Sequence, residues 1–176
     1  TTGFEVPTFT PTDTVESGVE TLILTHRGRL EATYTTEMVD SLWAKLEALA
    51  SHSKVSGRVV DLAGEPAIAG AYNVWAAVPT DTVRANYVAA TIKAWLHAAQ
   101  PRYPDLRYLV IVGSDEIVPF RRIPDESTVS NEAGYQPPLT PESPLRSTLE
   151  EGYFLTDDYY ASFDSALPWR GRFLYL

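Results

Sequence analysis

In RYLVIVGSDEIVPFRRIP, residues 107–124, an unbroken apolar run is followed by a Gly-Ser turn, two acids, a short apolar run stopped by Pro119, and paired arginines. YLVIV has the length and β-branched content of a strand buried on both faces, as in a parallel sheet. A strand that ends in Gly113, Ser114, Asp115 and Glu116 delivers a polar loop, and the chemistry of that loop depends on what surrounds the strand.

Upstream, VETLILT at 19–25 is a second buried strand, and His26, Arg27 and Gly28 leave it as a loop. Met38, Val39, Leu42, Leu46 and Leu49 follow the helical period, which predicts an amphipathic helix over about 36–50 with Thr35 or Thr36 as its cap. GRVVDL at 57–62 is the next strand. The small and apolar residues 63–79 show no clear period and are expected to form a connection packed on the core. Thr80 or Asp81 then caps a long helix with the stripe Val83, Tyr87, Val88, Ile92, Trp95, Leu96 and Ala99, ended by Pro101 and Pro104. The order strand, helix, strand, helix, strand predicts an α/β fold: a three-layer sandwich with a mainly parallel sheet flanked by helices. Ligands are expected beyond the carboxyl ends of its strands.

Four segments result. Residues 1–18, rich in Thr and Pro, read as an extended lead-in, and 19–120 as the α/β core. The aperiodic, proline-rich stretch 121–150 is too long for an ordinary connection and reads as a mobile loop or insert. Residues 151–176 supply an aromatic strand, an acidic turn and a closing strand. With no basic, apolar leader at its start and a strand-like run at its end, the chain reads as an interior or processed piece.

The 176 residues suffice for one core, since a domain of this size buries roughly 70% of its unfolded surface. A net charge of −9, from 14 basic against 23 acidic residues, argues against a nucleic-acid partner. No apolar run reaches the ~20 residues of a membrane span. The absence of cysteine removes disulfides, thiolate metal sites and a cysteine nucleophile from this sequence.

Among candidate functional residues, His26 lies where a general base would sit, just past a strand's carboxyl end. Without a Cys or a Ser in a nucleophile turn to activate, it reads as an edge-loop histidine. His52 and His97 lack metal-ligand spacing. Asp115 and Glu116 lack the glycine-rich pattern and lysine of a phosphate loop and read as a capped turn, or as carboxylates facing a cleft. Arg121 and Arg122 are expected to be a solvated pair. Asp157, Asp158 and Asp164 are three carboxylates close enough in sequence to share Ca²⁺, although they do not follow the spacing of a known calcium loop. Tyr159 and its aromatic neighbours read as core, with a substrate-facing wall as the alternative.

Three features together are more specific than any alone: LTH at 24–26 before a helix, YLVIVGSDEIVPF at 108–120, and TDDYYASFD at 156–164 with a strand soon after. This arrangement resembles the N-terminal part of gingipain-type cysteine peptidases, relatives of the caspase-like fold. The corresponding residues are Val112, Gly113, Ser114, Asp115, Val118 and Pro119, then Thr156, Asp157, Asp158, Tyr159 and Tyr160, then 173–176. The chain departs from the pattern at Ser114, where the family often has Asp, and in its proline-rich stretch. The resemblance implies a non-catalytic subdomain of a cysteine endopeptidase whose catalytic His and Cys lie downstream; no residue here matches either. It implies packing against that catalytic subdomain beside a peptide or protein substrate, with Asp115, Glu116, Asp157, Asp158 and Tyr159 in cleft or structural roles. It also implies a candidate structural calcium, no other required cofactor, and secretion or a cell-surface location, with a cytoplasmic one left open. The alternative is a stand-alone flavodoxin-like ligand-binding or interaction module.

Overall fold

In the computed structural model, residues 3–11, 13–127, 132–135, 138–140 and 142–162 are described, together with the backbone of two short strands at 167–169 and 172–174. The core is a parallel three-stranded sheet in the order β2-β1-β3, with β1 Thr21–Thr25 in the middle, β2 Gly57–Asp61 on one side and β3 Tyr108–Ile111 on the other. All five residues of β1 are buried. That is why TLILT carries no polar alternation: a central parallel strand has helices over both faces.

α1 Arg27–Thr33 and α2 Thr36–Ala50 connect β1 to β2, whereas α3 Pro66–Ala76 and α4 Thr82–Ala99 connect β2 back across to β3. Ile23 on one face of β1 meets Leu46 and Ala50 of α2. Leu22 and Leu24 on the other face join Trp75 of α3 and Val88, Ile92 and Leu96 of α4. The three-layer α/β sandwich expected from the sequence is therefore present. Because the chain leaves β1 toward β2 and returns past it to β3, the order of connection reverses between β1 and β3, and the crevice of such a sheet lies beyond the carboxyl ends of these two strands, between the segments that leave them.

Local chemistry sets the helix boundaries. Thr35 Oγ1 accepts the Met38 N–H at 3.4 Å and starts α2. Asp81 Oδ1 accepts the Val83 and Arg84 N–H groups at 2.8 and 3.0 Å and starts α4. Two helices were not anticipated. α1 stands in place of the expected loop at His26–Gly28; with Leu30 its one buried residue, it shows no periodic signal. α3 replaces the expected connection at 63–79. Its buried Ile68, Ala71, Tyr72 and Trp75 do follow helical spacing, but alanines and Gly70 between them leave no polar contrast to reveal it.

The α2 stripe also differs from expectation. Val39, Leu46 and Ala50 are buried, but Met38 and Leu49 are 57% and 46% exposed. α2 packs over β1 and β2, so a helical face wider than that contact stays open.

Within the span read as a proline-rich insert, the structure places β4 Arg121–Pro124 and α5 Pro144–Glu150. β4 pairs antiparallel with β5 Tyr153–Thr156, which leads into the single turn α6 Asp158–Ala161. This returning layer packs on α4 and buries Asn86 and Lys93 on the face that a two-sided reading would leave to solvent. Lys93 Nζ donates to the Tyr160 carbonyl at 3.1 Å and to that of Ser162, and burial pulls its ammonium down to about 8. The lead-in is tied down as well: Glu16 binds both Arg58 and Arg102, and Gly18 N–H donates to Asp105 Oδ2 at 2.8 Å. β6 Leu167–Trp169 and β7 Arg172–Leu174 pair as an antiparallel hairpin. Among the described residues no helix is long and apolar enough to cross a membrane.

Candidate functional site at the carboxyl ends of β1 and β3

The crevice begins where β1 ends. Thr25 Oγ1 donates to the Val112 carbonyl at 2.9 Å, holding the exits of β1 and β3 together. His26 is buried rather than at an open edge. It caps α1, its Nδ1 accepting the Arg29 N–H at 3.3 Å, and its ring stands edge-on to Tyr72 with centroids 4.4 Å apart. A ring nitrogen that accepts is unprotonated. Burial and, secondarily, Arg29 hold the imidazole below its ordinary range, against the opposing pull of Asp61.

The sign of the linkage follows from that depression. The unfolded chain binds the proton more readily, so His26 stability is fully present above the unfolded value of about 6.5 and is lost as pH falls through the folded value. His26→Asn, which keeps a capping acceptor, is expected to flatten the stability profile over that acidic window in urea titrations. His97 is also lowered, by burial and by Lys93, and titrates in both proteins, so the difference between them isolates His26. An unchanged profile would show that His26 carries no linkage.

After β3 the chain turns at Gly113, where φ is +130° and an added Cβ would stand 2.5 Å from Ile117 Cβ. Gly113→Ala is therefore expected to cost about 2–4 kcal/mol from backbone strain and overpacking. Gly70, at mid-α3 with nothing within 4 Å of an added Cβ, provides the opposite case. Gly70→Ala is expected to gain about 0.5–1 kcal/mol. Chemical denaturation of the pair checks both signs.

The loop 113–120 is held from several sides. Asp115 forms a bidentate ion pair with Arg122, at 2.8 and 2.5 Å, and its Oδ1 also accepts the Phe120 N–H at 2.8 Å. The Arg122 side chain is 0% exposed; it donates further to the Phe120 carbonyl and to Thr148 Oγ1, and lies 5.6 Å from the Trp75 ring. Asn86 exchanges two hydrogen bonds with the Arg122 backbone, at 2.8 and 2.9 Å. Tyr72 Oη donates to the Ile117 carbonyl at 2.7 Å and Tyr160 Oη to that of Pro119. Burial pushes both phenols up, so both remain protonated donors.

The solvated arginine pair expected from the sequence is thus corrected. Arg122 is a buried clamp, and Arg121, half-buried, donates to the Asn86 carbonyl at 3.2 Å and sits 5.1 Å from the Tyr159 ring. Glu116 is exposed at the rim, and its carbonyl accepts from Arg29 Nε. Tyr159 is buried beside Tyr160 and Lys93. Asp157 and Asp158 are exposed at the start of α6, away from any cage, and Asp164 lies outside the described residues. Among the described residues no three His, Cys, Asp or Glu side chains converge in a metal-binding group. Two carboxylates supply only part of the six to eight oxygens Ca²⁺ takes.

Arg29 is the residue the sequence did not single out. Its guanidinium lies 4.7 Å from the Trp75 ring and 5.3 Å from that of Tyr72, and it opens into a cavity of about 220 Å³ lined by Arg29, Ala32, Thr33, Glu116 and Ile117. Its position two residues into a short helix gave no motif to find. No protein-family model matches the chain, and neither the curated proteins nor the solved structures compared with it give a match.

Proposed function

We propose that this chain is the non-catalytic α/β subdomain of a gingipain-type cysteine endopeptidase, packing against a catalytic subdomain and helping to shape its substrate cleft. The family rests on the resemblance of 108–120 and 156–164; the packing role rests on β3. By register, Tyr108 and Val110 share the face on which Thr21 and Ile23 are buried, yet they are 60% and 37% exposed. Among the described residues β3 pairs only with β1, which leaves an apolar strand with one open edge and one open face. Such strands are normally covered.

Glu116, Asp157 and Asp158, all exposed, are the carboxylates available to a cleft; Asp115 is committed to Arg122 and Tyr159 to the core. A calcium site completed by Asp164, and secretion or a cell-surface location, belong to the same proposal. Added Ca²⁺ raising the melting temperature of the wild type but not of Asp157→Asn/Asp158→Asn supports the metal, and equal responses reject it.

The test uses a version of the protein extended beyond Leu176. Thiol-dependent hydrolysis of a peptide library is expected, and Tyr108→Glu/Val110→Lys is expected to lower it at least tenfold while changing the stability of the 176-residue chain by no more than ~1 kcal/mol, as at other surface positions. Absence of thiol-dependent activity, or full activity in the double variant, overturns the reading. The crevice at the ends of β1 and β3 favours a second one, a stand-alone ligand-binding module.

A further inference from the structure

We propose that Arg29 forms a carboxylate-binding site in the crevice between the carboxyl ends of β1 and β3. Most of the wholly or partly buried arginines among the described residues have a carboxylate: Arg27, Arg84, Arg102, Arg122 and Arg146 each form an ion pair. Arg121 has the ring of Tyr159 and the Asn86 carbonyl. The Arg29 guanidinium has one hydrogen bond, from Nε to the Glu116 carbonyl, and no ion pair among the described residues. Asp115 and Glu116 act on it electrostatically from beyond ion-pair distance.

No buried side-chain nitrogen of the described residues lacks a partner, so the Nη atoms of Arg29 are reached by solvent through the cavity. The rings of Trp75 and Tyr72 lie against the guanidinium, and Nε is held by the Glu116 carbonyl. A planar fork held in this way matches the two oxygens of a carboxylate better than a point charge would. Burial penalises the cation, and a bound anion relieves that penalty in a medium of reduced dielectric. At about 220 Å³ the cavity is below the size of drug-like pockets and suits one carboxylate-bearing group: a small free acid, or an acidic side chain or terminus of a peptide. The N–H groups of Ser114, Asp115 and Glu116 have no acceptor among the described residues and add positive character to the same end of the sheet.

This inference does not rest on the peptidase reading, because every residue of the site lies in this chain. The test follows ¹H–¹⁵N signals of Arg29 Nε–Hε and Trp75 Nε1–H in the full chain. Acetate, succinate and a capped glutamyl tripeptide are titrated against chloride and phosphate at equal ionic strength. Saturable shifts with the carboxylates and none with chloride are expected. A tighter tripeptide assigns the source to peptides, and a tighter succinate assigns it to free acids. Arg29→Gln is expected to weaken binding at least tenfold. Ala32→Glu, an exposed helix position that places a competing carboxylate at the cavity, is expected to abolish binding with the fold retained, and Glu116→Gln to tighten it severalfold. Shifts that do not saturate, phosphate binding as tightly as the carboxylates, or undiminished binding to a folded Ala32→Glu protein would each overturn the proposal.

Discussion

Asp115→Ala is expected to destabilise the protein by about 3–5 kcal/mol, because it leaves the Arg122 guanidinium buried without its counter-charge. The Arg122 side chain is 0% exposed and is enclosed by Trp75, Thr148 and the carbonyl of Phe120, and a water in the vacated space would supply a hydrogen bond but no counter-charge. Arg122→Met is expected to cost a similar amount, now with Asp115 stranded. The double variant Asp115→Ala/Arg122→Met is expected to lose far less than the sum, since removing both charges together leaves neither one buried without its partner. Arg122→Lys is expected to recover little, because an ammonium cannot span both carboxylate oxygens. Urea denaturation of the four proteins gives the coupling energy, and additive losses would show that the two side chains do not act as a pair. The bond joins the turn after β3 to β4, and through β4 to the layer that returns over α4. Its loss is therefore also expected to loosen amide protection in β4 and β5.

Trp75→Ala is expected to cost a comparable amount, about 3–5 kcal/mol, as a large side chain deleted from a closed core. Trp75 is fully buried, and its Nε1–H donates to the Pro79 carbonyl at 2.8 Å, closing the end of α3. Its ring also lies close to two guanidiniums, 4.7 Å from that of Arg29 and 5.6 Å from that of Arg122. Trp75→Phe keeps much of the volume and part of the ring interaction but removes the N–H, and a loss of about 1–2 kcal/mol is expected. Thermal and urea unfolding separate the two substitutions. A loss below 1 kcal/mol for Trp75→Ala would mean that the site collapses freely around the gap. Because the ring also backs the Arg29 guanidinium, Trp75→Phe is expected to weaken carboxylate binding more than it weakens the fold.

Both effects arise at residues whose roles the sequence did not disclose. Trp75 stands in a segment where alanine and glycine replace the polar face that usually marks a helix, so α3 is invisible to hydropathy although its buried positions follow the helical spacing. Arg122 belongs to a charged dipeptide after a proline, and solvent is the ordinary place for such a pair. What reverses that expectation is the return of β4, β5 and α6 over α4, which turns the outer face of that helix into a second interior.

By itself the sequence determined the parallel α/β sandwich. The run TLILT is buried by its own composition, and the start of α4 is written in Asp81, a local signal. YLVI forms a strand as its composition predicts, but it is not buried on both faces: it lies at the edge of the three-stranded sheet with Tyr108 and Val110 exposed. The tertiary structure alone decided which charges are buried together and which stand open. Asp115 and Arg122 are seven residues apart in the chain and meet only because a glycine turn and an antiparallel strand bring them face to face. Arg29 acquires an aromatic backing and an open cavity from residues more than forty positions away in α3 and over eighty away after β3. Secondary structure follows from short-range periodicity. Ion pairing and desolvation depend on distances through space, and spacing along the chain does not encode them.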